Sequence, residues 1–596
     1  MADVRGDPWE HDPGPTDASG WAALFAETPN YRGLGMAVLG REAFRWHHGP
    51  MFYRGRLDGS AKVVIVGQEG AQDESLAHRS FTGGTGARMQ HFLRFIGIDR
   101  SYLFLNSFIY PIFGQYTADL RPLAQDPRSP IAQHRNRIFD KAIVDGDVRL
   151  VVAVGTAAKE SVVTWIQAHG GSAQSDALHN ANLGSIPNRV RVVGVLHPGG
   201  AAGGSTAAIK ADFQRAVNRI RGWVADDAGW LPADPGMTRN LSTAYPYSSA
   251  AIPYRDFPFG TCPRLGRGGT SSNRSDNQRA IRLFSAAGKY NAKGAHLSDP
   301  STATGSSQGY DDDPGDLPYE PPRANPRSFD PGPPADLGRL LMGAEPGFSW
   351  PDFAALGVRS HQSFGVGPIY RGRFRQLSLV VLADQASQDD VFSGRAQSGE
   401  AGQQFQGFLR ASGLSQRYLI FRSIPVDTLD LTAAARNAIV DNAKVRALHG
   451  ELLRRIAAAN GGLAALVAVG TAARRLAPHV APAGLPIVEL AAHGGSGWAA
   501  SWQAGLTNLA ARNYAKDVTN PTFALPATRS QLPRIDLPYG TTRWIGTSGD
   551  RGIRPRDLDL GGPSPDYLKL FLPSWVAALA AAPLTAAEQQ AADQLT

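Results

Sequence analysis

Cysteine is almost missing from this chain: one residue, Cys262, in 596. A single cysteine excludes an intrachain disulfide and any cysteine-ligated zinc or iron–sulfur centre built by one chain. No apolar run approaches the roughly 20 residues that a membrane-spanning helix needs. The opening MADVRGDPWEHDPGPTDASG has no apolar core, so it does not read as a secretory signal. There is no GxxxxGK[ST] phosphate loop, no GxSxG nucleophile elbow and no HExxH metal motif. The expectation from these absences is a cytoplasmic protein with no membrane partner and no cofactor. Acidic residues are in the minority, 52 against 60 Lys and Arg, for a net charge of +8. That balance favours a polyanionic partner such as nucleic acid. Hydrophobic residues make up 42%, enough for real cores, while 66 glycines and 42 prolines imply long loops or linkers.

What is present is a repeat. Val63 to Ser107 aligns without a gap on Leu379 to Ser423, at a shift of 316. YRGR occurs at Tyr53–Arg56 and Tyr370–Arg373, and VAVGTAA at Val152–Ala158 and Val467–Ala473. Asp256–Thr261 (DFPFGT) echoes Asp536–Thr541 (DLPYGT). Four echoes in one order predict a tandem duplication. In each copy, four short apolar runs alternate with helical patterns. They are Lys62–Gly67, Tyr102–Ser107, Arg149–Gly155 and Val190–His197, then Ser378–Ala383, Tyr418–Ser423, Ala465–Gly470 and Pro486–Leu490. Uniformly apolar strands between helices predict an α/β fold whose parallel four-stranded sheets are covered on both faces. Ligand sites in such sheets lie outside the carboxyl ends of the strands.

The expected organisation is a disordered N-terminus (1–20), a first unit with a C-terminal extension (21–273), a Gly/Pro/Ser/Asp-rich linker (274–336), a second unit with its own extension (337–575) and a tail (576–596).

Polar chemistry gathers at the strand ends of the first unit. Gly67-Gln68-Glu69-Gly70-Ala71 follows the first strand. Phe81-Thr82-Gly83-Gly84-Thr85-Gly86 leads into a helix, Asn106 ends the second strand, and His197-Pro198-Gly199-Gly200 ends the fourth. In this order the set resembles the uracil-DNA glycosylase superfamily, over roughly Lys62 to Arg221. The resemblance implies two tandem glycosylase-like domains, DNA as partner, and removal of a flipped pyrimidine. It gives Glu69 the role of a carboxylate beside the sugar, Asn106 that of reading the base, Phe81 that of stacking on it, and His197 that of stabilising the departing base. Asp73 and Glu74 stand close enough in sequence to supply the carboxylate instead. Gln68, Gly70 and Ala71 would shape the pocket. Gly199, Gly200 and Ser205 would offer backbone and hydroxyl groups to phosphate. His78 and Arg79 read as solvated loop residues, and His134 as a surface residue.

The departures are informative. The family's first-loop proline is Gly70 here. Ala71 stands where some branches carry a tyrosine that blocks a C5 methyl group, and the serine after His-Pro is Gly199. In the second copy Glu69 becomes Gln385, Phe81 becomes Gln397 and Asn106 becomes Arg422. The expectation is therefore an active first unit and a catalytically degenerate second one that packs on it or extends a DNA surface. The substrate is expected to be uracil or a C5-modified base such as a hydroxymethylated or glucosylated cytosine of viral DNA. The setting would be base-excision repair or antiviral defence. A non-catalytic DNA-binding or damage-sensing protein on the same scaffold is the alternative, and a covalent trap of the sugar cation is a third.

Overall fold

Val63–Gly67 is buried along its whole length, the pattern of a central parallel strand. In the computed structural model it is β2 of a five-stranded sheet with β1 (Tyr53–Gly55), β3 (Tyr102–Asn106), β4 (Leu150–Val154) and β5 (Arg191–Val195), in the order β1-β3-β2-β4-β5. The structure describes residues 12–15, 20–44, 50–70, 74, 79–112, 116–198, 206–250, 252–258, 282–283, 289–290, 296–297, 319–320, 337, 340–341, 343, 345–358, 370–390, 395–429, 431–528, 531–533 and 583–596. The second unit repeats the sheet with β6 (Tyr370–Gly372), β7 (Leu379–Ala383), β8 (Tyr418–Arg422), β9 (Ala465–Val469) and β10 (Ile487–Leu490), in the same relative order. The expected four-stranded parallel sheet is thus a mixed five-stranded one. The additional strand is the YRG segment, antiparallel to its neighbour in both units. Three residues are too few to show a hydrophobic period.

Alternation places Val63 and Ile65 on one face, against Phe92 and Leu93 of α2 (Gly84–Phe95) and Phe213 and Val217 of α4 (Thr206–Asp226). Val64 and Val66 face the other way. They join a hydrophobic cluster that continues through buried residues of the second unit, including Val380, Leu382 and Phe421. Each fully buried Val or Leu contributes roughly 1.5–3 kcal/mol, so this shared cluster ties the units together.

The N-terminus departs from expectation. Residues 12–15 are packed rather than disordered. Asp12 is buried, its N–H donates to the Phe257 carbonyl (2.9 Å), and its carboxylate accepts from Arg79 Nε (2.8 Å). The tail contains a helix, α7 (Ala586–Leu595), whose Glu588 accepts from the Asn30 N–H (2.8 Å) at the start of α1 (Tyr31–Leu39). Among the described residues no helix is long and apolar enough to cross a membrane.

His134, expected at the surface, is buried, with Nε2 2.8 Å from the Leu24 carbonyl. Burial pushes its pKa down to about 4. The unfolded chain, with an ordinary imidazole near 6.5, therefore binds a proton that the folded state refuses. The stability this site contributes is complete above pH 6.5 and is lost as pH falls toward 4, by about 3 kcal/mol. His134→Gln should flatten that part of a urea-unfolding series between pH 7 and 4.

Candidate active site

The parallel register sets Gly67 beside Asn106 at the carboxyl ends of β2 and β3. Gly67 has no side chain, and two groups occupy the space. A Cβ built there would collide with the Phe81 ring and lie 2.8 Å from Asn106 Oδ1. Phe81 is held over this point by a left-handed backbone (φ 58°), and its ring packs on Phe104 at 4.9 Å. Asn106 Nδ2 donates to Ser80 Oγ (3.2 Å). Its Oδ1 is buried and has no hydrogen-bond partner among the described residues. An orphaned buried acceptor costs roughly 1–3 kcal/mol, so it marks a place where a ligand donor is due.

Glu69 is half-buried on the loop after β2. One carboxylate oxygen accepts from the Ile112 N–H and the other from Gln68 Nε2 (3.2 Å). Gly70 is buried. A Cβ there would run into Met51 Sδ and lie 2.9 Å from Glu74 Cβ. The loop therefore has glycine where the resembling family has proline, because Met51 fills the space.

Glu74 faces away from any such chemistry. Its carboxylate accepts from the N–H groups of Thr82 (2.8 Å) and Gly83 (3.2 Å), tying down the turn that carries Phe81. The equivalent Asp390 does the same for Ser398 (2.7 Å). An anchor present in both units is a device of the fold, and Glu69 remains the carboxylate at the strand end.

His197 stands two strands from β2, on the loop after β5. Neighbouring strands are about 4.8 Å apart, so it lies roughly 10 Å from Gly67 along the sheet edge, a span that a nucleotide fills. Its Cβ is 3.5 Å from the position a Cβ would take on Gly155, at the end of β4. Leu196 N–H donates to Asp212 of α4 (2.6 Å), and Tyr247 donates to the Pro198 carbonyl (3.0 Å). These two bonds fix the loop on either side of His197. The residue has an exposed face, yet crowding by its neighbours lowers the imidazole pKa. That shift favours the neutral imidazole, which keeps one N–H to donate.

The structure thus brings together Gln68, Glu69, Gly70, Phe81 and Asn106, with His197 across the edge. Ala71, Asp73, His78, Gly199, Gly200 and Ser205 lie outside the described residues. Arg79 is a correction. It is buried, not solvated, and donates to Asp12, to Tyr53 Oη (3.0 Å) and to Asp389 of the second unit (3.0 Å). Burial alone would lower its pKa, but Asp389, Tyr53 and Asp12 together raise it, so the guanidinium stays charged.

The second unit keeps this framework and changes the residues at the strand ends. Arg54 and Arg371 are both buried and hold the same places, on Ser80 O and Gln90 in one unit and on Ala396 O and Gln406 in the other. Gln397 repeats the left-handed backbone of Phe81 (φ 55°). Gln385 accepts from Thr428 N–H (2.8 Å), the counterpart of the Glu69–Ile112 bond, without the charge. Ala383 replaces Gly67. Arg422 turns back to Gln385 (3.0 Å) and the Val426 carbonyl (2.6 Å). Asp384 caps α6 (Thr471–Val480) through the N–H groups of Ala472 (2.9 Å) and Ala473 (2.8 Å). In the first unit that position is Gln68, and the matching helix is α3 (Thr156–Ala168).

Gly67→Ala should therefore displace Phe81 and Asn106 while leaving the unit folded, as Ala383 does in the copy. We expect thermal unfolding to shift little and any base-releasing activity to fall at least tenfold. A groove lined by His91, Arg94, Phe95 and Asn240 lies at the far end of α2, remote from these groups.

Sequence reasoning gave no site role to Ser80, Met51 or Arg54. Ser80 and Arg54 carried a signal: Ser80 changes to Ala396 in step with the change of Asn106 to Arg422, and Arg54 recurs as Arg371 in the repeated YRGR.

A family model described as Uracil DNA glycosylase superfamily matches residues 54–221. No curated protein matches the chain.

Proposed function

With residues 54–221 forming a domain of the uracil-DNA glycosylase superfamily, we propose that the first unit draws a pyrimidine nucleotide out of DNA and hydrolyses its N-glycosidic bond. The observation that carries this reading is Asn106 Oδ1, a buried acceptor with no partner among the described residues, beside the Phe81 ring at the end of β2. The ring of Phe81 offers a surface on which an extruded base stacks. Asn106 reads its polar edge. Breaking the C1′–N1 bond sends its electron pair to the base and leaves positive charge on the sugar. Glu69 stabilises that charge and orients the water whose oxygen adds to C1′, the proton passing to the carboxylate or to solvent. Neutral His197 donates its N–H to the anion forming on the base. The products are a free base and an abasic site.

The second unit, in this reading, is a support and not a second catalyst. Its Asp389 holds Arg79, which precedes Ser80 directly and Phe81 by two residues. The net charge of +8 supports DNA as partner.

For the base, we infer a pocket open at C5. Ala71 has no ring to block that edge, and the Met51 thioether beside Gly70 offers a polarizable apolar contact. The favoured substrates are uracil and C5-modified pyrimidines, among them the hydroxymethylated or glucosylated cytosines of viral DNA, and the second class would make this a defence enzyme. The test is single-turnover cleavage of matched oligonucleotides carrying uracil, thymine, cytosine and C5-modified cytosines, by wild type and Ala71→Tyr. Ala71→Tyr should slow C5-substituted bases at least tenfold more than uracil. Equal slowing of all substrates would remove the open-pocket reading. DNA held in an adduct that survives denaturation would point to a covalent trap instead.

A further inference from the structure

Resting on the glycosylase reading, we propose that Ser80 determines which pyrimidine edge the site accepts, by locking the orientation of the Asn106 amide. A serine hydroxyl has one hydrogen to give. Here it goes to the Met51 carbonyl (3.0 Å). Ser80 Oγ then acts only as an acceptor toward Asn106, and the amide must turn its NH₂ group to it (3.2 Å). Oδ1 is left on the side of Gly67, buried and unpartnered among the described residues.

Ser80 cannot easily move to allow another arrangement. Its N–H donates to the Tyr53 carbonyl (3.1 Å) and its own carbonyl accepts from Arg54 Nε (3.0 Å). The side chain is fully buried. Flipping the Asn106 amide would set Oδ1 against Ser80 Oγ. Either two acceptors then face each other, or the hydroxyl turns away and strands the Met51 carbonyl. One hydrogen bond is lost in both cases.

This matters because the two pyrimidine edges are mirror images in donors and acceptors. Uracil and its C5 derivatives present an acceptor at O4 and a donor at N3. Cytosine and its derivatives present a donor at N4 and an acceptor at N3. An amide fixed in one orientation complements one edge and opposes the other, whereas a free amide serves both. The duplicate is an internal control. Ala396 sits on the same backbone bond from Arg371 (3.0 Å) but has no hydroxyl, and the residue it would orient is Arg422. Ser80 is a positioning residue, acting through Asn106.

The experiment compares 5-hydroxymethyluracil with 5-hydroxymethylcytosine in otherwise identical oligonucleotides. The two bases share the C5 group and differ in the edge. Single-turnover release is measured for wild type, Ser80→Ala and Ser80→Cys, whose thiol is a poor donor of similar size. The wild type should favour one base. Both variants should shrink that preference roughly fivefold, the worth of one hydrogen bond, chiefly by speeding the disfavoured base relative to the other. General loosening of the site would slow both bases alike and leave the ratio unchanged, and that result overturns the proposal. Should Ser80→Ala not fold, Ser80→Cys decides alone. A wild type that releases no pyrimidine of any kind overturns the glycosylase reading itself, and this inference with it. A wild type that is active with an unchanged ratio in the variants overturns only the role of Ser80.

Discussion

Asn106→Ala should lower the single-turnover rate of base release by roughly 100- to 10,000-fold, the range typical of removing one positioned catalytic group. The substitution removes the Asn106 Oδ1 acceptor, which is buried and has no partner among the described residues. It should not cost folding, because the lost amide makes a single hydrogen bond to Ser80. His197→Ala should slow the same step comparably, since its neutral N–H is the donor for the departing base. The paired control is in the copy. Arg422→Ala removes bonds to Gln385 and Val426, so it should destabilise the second unit while leaving the chemical step unchanged well below the unfolding transition. A comparable loss of rate from Arg422→Ala would end the distinction between an active unit and a degenerate one.

Asp389→Ala should be the most damaging single change outside the first unit. Its carboxylate is fully buried and faces the guanidinium of Arg79, which is also buried. Removing one member of such a pair leaves an uncompensated buried charge, at a cost of about 3–5 kcal/mol. Asp12 remains beside Arg79 and offsets part of this. The exposed pair of Arg475 with Asp441 gives the contrast: Asp441→Ala should shift the urea midpoint far less than Asp389→Ala does, because solvent screens an exposed pair. Urea unfolding measures both. Because Arg79 adjoins Ser80 and Phe81, Asp389→Ala should also slow base release, although Asp389 belongs to the other unit. Stability loss with an unaltered rate would leave the second unit as packing alone.

The four parallel strands and the strand-end positions of Glu69, Asn106 and His197 were legible because parallel strands buried on both faces leave continuous apolar runs. The gap-free shift of 316 then showed which polar residues the copy had lost. What remained illegible was set by tertiary partners. Glu74 is one acid among three near the first loop, and only the folded turn turns it toward Thr82 and Gly83 and away from a substrate. Arg79 looks solvated until Asp12 and Asp389, 67 residues before it and 310 after, close around it. His134 carries no local mark of burial, since its partner is the Leu24 carbonyl 110 residues away. The YRG strand was visible as an echo but not as a strand, because its pairing with β3 is not a property of three residues.

One measurement bears most directly on the central claim that the first unit cleaves N-glycosidic bonds and the second does not. Intact protein is mixed in excess with duplex and single-stranded oligonucleotides carrying uracil or a C5-modified pyrimidine. Free base and abasic sites are then counted in the same reaction. The account predicts equal amounts of each, formed by the wild type and by Arg422→Ala and nearly absent with Asn106→Ala. Tight binding of these DNAs with neither product, or product formation that survives Asn106→Ala, would contradict it.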